Sequence, residues 1–342
     1  MGWTAYLGGA RHDVSAVESL NPDPRPQWTT DVGRAVRGSP ALGETVVAVG
    51  LAERQVVLLD RASGEPIWRH RVEGTVLSGP LLAGDRLYVA TEEAPDGAVY
   101  ALALRDGHRL WKRRAGSVAA PLALDGAALY AATERGLVLR LDPEKGGVVW
   151  RRTLAGAVRA GPVPTPEGLV VATTSDTLFL LDPETGGVRA RSATPGAVVG
   201  TPAVSGSHLF LATTAGHVLA VGLPALAVRW DRDVGDVVFG APALRGDTVF
   251  ALTRGGALWV VPTEAPDAAR MFALNIAAVA GPTPTASGVL VASVSGEVLL
   301  VDTGSGEIRW RARVDGPVEQ PPLVHDRQLV VVDGRGTIHT YR

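Results

Sequence analysis

Residues 161–191 read GPVPTPEGLVVATTSDTLFLLDPETGGVRAR, and this stretch decides the fold. Gly161-Pro162-Val163-Pro164 opens a first strand. Gly168 to Thr173 (GLVVAT) is a second and Thr177 to Leu181 (TLFLL) a third. Asp182 to Gly187 is a turn in which Asp and Pro set the bend and Gly supplies positive φ. Val188 to Arg191 begins a fourth strand. Turns this close leave no room for a helix of ten or more residues, so the unit is a four-stranded antiparallel meander.

The unit repeats along the chain. Its proline recurs as Pro40, Pro80, Pro121, Pro162, Pro202, Pro242, Pro282 and Pro322, at spacings of 40 or 41. A tryptophan keeps the same step near each unit's end: Trp28, Trp68, Trp111, Trp150, Trp230 and Trp310, with Ala190 and Met271 in the two remaining slots. A glycine turn precedes several of them, at Gly64, Gly107, Gly146 and Gly306. A sheet of this size has two apolar faces and cannot bury them alone; radial stacking buries both. The tryptophans are therefore expected between blades, each ring on the next blade's turn with its N–H on an acceptor. The series Thr91, Thr133, Thr173, Thr213, Thr253, Ser293 is expected to cap turns at strand ends.

The last unit, from Glu319 to Tyr341, supplies only three strands, while Gln27-Trp28-Thr29-Thr30 is a fourth strand without a sheet. The two are expected to pair. The expected fold is an all-β, eight-bladed β-propeller of four-stranded antiparallel blades, closed by the N-terminal strand in the C-terminal blade. Residues 1–25 form an N-terminal arm near that seam, docked by Trp3, and 26–342 form the propeller. The blades run about 36–71, 77–114, 118–154, 159–193, 199–233, 239–273, 279–313, and 319–342 plus 26–31.

Bulk properties narrow the function. A net charge of −2 over 342 residues gives no long-range pull on nucleic acid or anionic membrane. The absence of cysteine removes disulfides, thiolate metal sites and a cysteine nucleophile. No apolar run approaches the ~20 residues of a membrane span. The seven histidines are scattered, without an H-E-x-x-H pair, and there is no G-x-S-x-G elbow. Gly334-Arg335-Gly336 reads as a hairpin turn, since no helix follows it to hold a phosphate.

The pattern Leu58…Asp60…Ser63-Gly64…Trp68, repeated as Ala101…Asp106-Gly107…Trp111 and Leu300…Asp302…Ser305-Gly306…Trp310, resembles the tryptophan-docking motif of PQQ-type quinoprotein propellers. The likeness covers about residues 28–342. One branch of that family is enzymes, which hold the quinone and Ca²⁺ in the central funnel. This sequence departs from them. It lacks their cysteines, its only asparagines are Asn21 and Asn275, and no carboxylate cluster offers the roughly six to eight oxygens of Ca²⁺. The other branch is the BamB-type outer-membrane assembly lipoproteins, of similar length and the same short repeats. That resemblance implies a non-enzymatic scaffold without cofactor or metal. It also implies a periplasmic or cell-envelope place and a protein partner such as a BamA-like assembly protein. The chain shows no lipid-attachment cysteine, so a signal or anchor would lie outside it. A monomer is expected.

Three residues before each marker proline the chain enters the innermost strand at the channel mouth. These positions are Arg37, Leu77, Val118, Arg159, Val199, Phe239, Val279 and Glu319. They form the candidate binding rim, for a peptide segment or a small anionic ligand. Arg37 and Glu319 are expected to pair across the closure. Strand addition to an outer edge is a second mode, and Glu92 to Asp96 is the longest insertion within a blade. Two other readings stay open: the ligand-sensing ectodomain of a receptor kinase, and a PQQ-dependent dehydrogenase.

Overall fold

The computed structural model describes residues 18–93 and 96–342, so Trp3 and most of the expected arm lie outside the described residues, as do two residues of the Glu92–Asp96 insertion. The chain forms eight four-stranded antiparallel sheets. Blade 4, the unit read first, is Val163–Thr165, Gly168–Thr173, Thr177–Leu181 and Val188–Ala193, hydrogen-bonded in that order. The innermost strands have only two or three residues, because the centre of a ring is crowded. The second strand of blade 4 is buried throughout, since both faces of a blade meet a neighbour.

Alternation along a strand sends successive side chains to opposite neighbours. Val171 and Leu181 pack with Tyr130 and Val138 of blade 3, while Val170, Leu178 and Leu180 pack with Leu209 and Leu219 of blade 5. The core is thus a circle of interfaces, one between each pair of blades, instead of one central mass.

The closure follows the expectation. Pro26–Asp31 pairs antiparallel with Thr337–Tyr341, with Thr29 opposite His339 and Asp31 opposite Thr337. Arg25 and Arg342 exchange backbone hydrogen bonds of 2.9 and 2.8 Å just beyond. Residues 18–25 lie over the seam of blades 7 and 8. Leu20 is buried among Leu290 and Val324, Ser287 Oγ donates to the Leu20 carbonyl, and the Glu18 carboxylate accepts from the Asp326 amide. Among the described residues, no helix is long and apolar enough to cross a membrane.

The repeated tryptophans link the ring. Each indole N–H donates to a backbone carbonyl of the next turn: Trp28 to Arg61, Trp68 to Leu104, Trp111 to Pro143, Trp150 to Pro183, Trp230 to Thr263 and Trp310 to Pro24, at 2.7–3.1 Å. Under Trp28, Trp68, Trp111 and Trp150 a turn glycine carries positive φ, as at Gly146 (65°), where a Cβ would stand 2.6 Å from the Trp111 ring. Asp60, Asp142, Asp182 and Asp302, which open four of the turns, each accept two backbone amides, as Asp182 does from Glu184 and Thr185. The threonine series caps turns as expected: Thr133 Oγ1 accepts from Leu137, Thr253 from Ala257 and Ser293 Oγ from Glu297.

One slot differs from the sequence expectation. Met271 is 49% exposed and faces away from the tryptophan position. Register puts Arg270 opposite Val260, where other blades place the tryptophan. Phe272, two residues on, packs on Gly306, and Arg270 Nη1 donates to the Gly304 carbonyl. Blades 2 and 3 have the reverse order, tryptophan first and then Arg113 or Arg152 bonded to the turn glycine's carbonyl. Aromatic and arginine have exchanged places in blade 6: forty residues on from Trp230 stands Arg270, and Met271 lies one position further, between the two.

Candidate binding surface at the channel mouth

The innermost strands approach each other backbone to backbone. A Cβ on Gly200 would stand 2.6 Å from the backbone of Gly240, and one on Gly240 2.2 Å from the amide nitrogen of Gly281. Glycine at these points draws the strands together and leaves a shallow hollow of about 180 Å³ at the mouth. Leu77, Arg159, Val199, Phe239, Val279 and Glu319 line it.

Arg37 stands beside this hollow, with Nη1 2.8 Å from Glu319 Oε2, and the Gln320 amide donates to the Arg37 carbonyl at 2.5 Å. Val118 does not stand at the rim. It is 0% exposed, in the core between blades 2 and 3, and Ala119 lines the hollow in its place. The reason is register. Ala123 opposite Tyr130 corresponds to Leu81 opposite Tyr88, so Leu122 holds the place that proline holds in other blades. Pro121 sits one position early, and counting back from it falls one short.

One stretch of the mouth is apolar. Val199, Phe239 and Val279 follow one another in blades 5 to 7, and Phe239 is 37% exposed. Val294, equally exposed, bonds through its amide to Ala277, two residues before Val279. Charged pairs flank this run, Arg159 of blade 4 on one side and Glu319 of blade 8 with Arg37 of blade 1 on the other, while Leu77 of blade 2 stands across the ring from Phe239. Arg159 Nε lies 3.3 Å from Glu134, and Glu92 next to this pair has its carboxyl pushed up, first by burial and then by the charge of Glu134. An apolar run flanked by paired charges suits an amphipathic segment, with the aromatic anchor in the apolar run.

The outer strands hold a feature the repeat count does not display. They carry sixteen of the 33 Lys and Arg residues and three of the 35 Asp and Glu residues. The signal was present in Trp68-Arg69-His70-Arg71, Trp111-Lys112-Arg113-Arg114 and Trp310-Arg311-Ala312-Arg313. Some of these side chains clamp the next blade, as Arg113 and Arg152 do. The others place like charge along exposed edges, which opposes edge-to-edge association.

The architecture defines a class: an eight-bladed propeller of tryptophan-docked, PQQ-like repeats. The family model described as outer membrane protein assembly factor BamB matches residues 11–136, 134–264 and 248–342, and the chain belongs to that family. The outer membrane protein assembly factor BamB of Xanthomonas campestris pv. campestris is 32% identical over 137 residues, 39% of this chain and 32% of that protein. Quinohemoprotein alcohol dehydrogenase ADH IIB of Pseudomonas putida is 26% identical over 164 residues, 41% of this chain and 23% of the enzyme. The matched region thus spans about a third or less of each of these relatives. The crystal structure of BamB from Moraxella catarrhalis superposes with a TM-score of 0.80 at 16% identity, over 93% of this chain and 99% of that one.

The dehydrogenase likeness raises the question of whether the mouth suits PQQ and its calcium ion. It does not fit. The hollow of about 180 Å³ is below the roughly 300–1,000 Å³ of small-molecule pockets. Its lining carboxylate, Glu319, is already engaged by Arg37. Among the described residues no three His, Cys, Asp or Glu side chains converge as a metal site would need.

Proposed function

We propose that the chain is a non-enzymatic, protein-binding scaffold of outer-membrane protein assembly, with the channel mouth as its docking surface. The observation that carries this reading is the apolar run Val199, Phe239 and Val279 at the mouth, with Phe239 exposed, flanked on one side by the Arg159–Glu134 pair and on the other by the Arg37–Glu319 pair. Membership of the BamB family supports the assembly role and a periplasmic or cell-envelope place. The shallow hollow and the rigid ring favour a surface that holds a segment over one that encloses a reactant.

The rim residues taken to make contact are Arg37, Leu77, Ala119, Arg159, Val199, Phe239, Val279 and Glu319. The partner is taken to be the BamA-like assembly protein of the same organism, bound through its periplasmic region. The test is titration of that purified region against the native chain and the double variant Phe239→Ala/Arg159→Ala. Tenfold or greater weakening supports the mouth. Unchanged affinity removes it, and no binding by the native chain removes the partner.

A further inference from the structure

Blades 4 and 5 meet without a tryptophan. Ala190 stands opposite Leu180, the register that Trp150 holds opposite Arg140 and Trp230 opposite Ala220. The turn of blade 5 has changed with it. Where the turns of blades 1 to 4 carry a glycine under an indole, this one carries Leu226, at φ 55° and 1% exposed. A leucine at positive φ is strained, and its side chain packs with Leu180 and Ala190 into the floor of the vacated space. It does not fill that space. A hollow of about 490 Å³ opens outward, lined by Leu180, Ala190, Pro224 and Ala225, with Glu167 and Arg189 at its edge.

We infer that this gap is a binding site for an aromatic side chain, an indole in first place, brought by a partner segment. Six other junctions of the same ring state what fits: a flat ring laid against the next turn, with its N–H on a carbonyl. Leu223, forty residues after Pro183 and forty before Thr263, offers the matching carbonyl. A second acceptor stands at the edge. Glu167 Oε2 is buried and has no hydrogen-bond partner, an arrangement that costs free energy until a donor arrives. Arg189 does not meet that need, because it is held by Asp182 at 2.6 Å and by the Glu167 carbonyl at 2.7 Å. The site therefore wants an apolar ring carrying a donor, which describes tryptophan.

This inference rests on the scaffold reading for the source of the ring, but it concerns a different surface from the mouth. The probe is N-acetyl-tryptophanamide, added to the full chain and soaked into its crystals. The expected result is saturable millimolar binding with the ring in the hollow between Ala190 and Pro224. The double variant Ala190→Trp/Leu226→Gly, which restores the pattern of the other junctions, should bind at least tenfold more weakly. Ala190→Leu, which fills less of the gap, should weaken binding severalfold if the double variant does not fold. Phe239→Ala should bind the probe as the native chain does, so a failed mouth and a failed gap are told apart. No saturable binding, a ring bound elsewhere, or undiminished binding in the folded variants overturns the inference.

Discussion

Trp150 on the outer strand of blade 3 donates its indole N–H to the Pro183 carbonyl in blade 4, across 2.9 Å. The ring is 8% exposed and tilts against Tyr130 at 6.1 Å between centroids. Trp150→Ala removes a large buried ring from an interface that cannot collapse, and should cost roughly 3–5 kcal/mol. Trp150→Phe keeps most of the area and loses the hydrogen bond, for about 0.5–1.5 kcal/mol net plus the cavity left by the smaller ring. Urea melts of the two variants, with equal m-values, check the order.

Ala190 and Leu226 are a matched exchange. Ala190→Trp alone ties its indole at the depth of Trp150, where a Cβ on the turn would stand 2.7 Å from the ring. It therefore meets the Leu226 side chain that a partner's untethered ring rests outside, and overpacking of this kind costs about 1–3 kcal/mol. Leu226→Gly alone empties the floor and costs roughly 2–5 kcal/mol by analogy with leucine deletions. Together they should recover much of the loss, with a coupling of about 1–3 kcal/mol. A double-mutant cycle on unfolding free energies measures it, and additive losses would contradict the exchange.

Two carboxyls set opposite pH slopes. Asp182 is held at about 2, first by its hydrogen bond with Arg189 and then by the Thr185 amide. Its folded value lies below the ordinary 3.8, so its contribution is present above that pH and lost as pH falls toward 2. The melting-temperature gap between native and Asp182→Asn should be full at pH 6 and close between 3.8 and about 2. Glu92 is raised above 4.5, so the folded state favours its protonated form and loses stability as pH rises through that range. Glu92→Gln should gain on the native chain above pH 4.5 and show no gain at pH 4.

The Arg37–Glu319 pair closes the rim across the seam, yet both side chains are well exposed. Exposed pairs contribute about 0–1 kcal/mol. Glu319→Gln should shift stability by no more than that, and any larger effect on partner binding would mark the pair as part of the contact surface. Thermal melts and the titration described above separate the two.

The architecture was legible because it is written in period. Prolines and tryptophans recur every forty residues, and a strand too many at one end matches a strand too few at the other. What escaped was local register. Pro121 sits one place early, so counting back from it points to Val118, whose side chain is in the core. Arg270 and Phe272 exchange roles, so Met271 drew the slot. Leu226 gave no signal, since a turn that lacks glycine looks like any other short stretch, and its positive φ is imposed by the ring around it. Charge segregation escaped for a different reason: a total of −2 averages a basic circumference against acidic turns.

The pairing of Trp28 with Thr340 joins residues 312 apart. During synthesis Pro26–Asp31 leaves the ribosome ahead of all seven complete sheets, and the edge it needs emerges after them. At roughly 5–20 residues per second that interval lasts tens of seconds. Pro26–Asp31 must travel unpaired while seven sheets stack behind it, and the circle locks only once Thr337–Tyr341 has emerged.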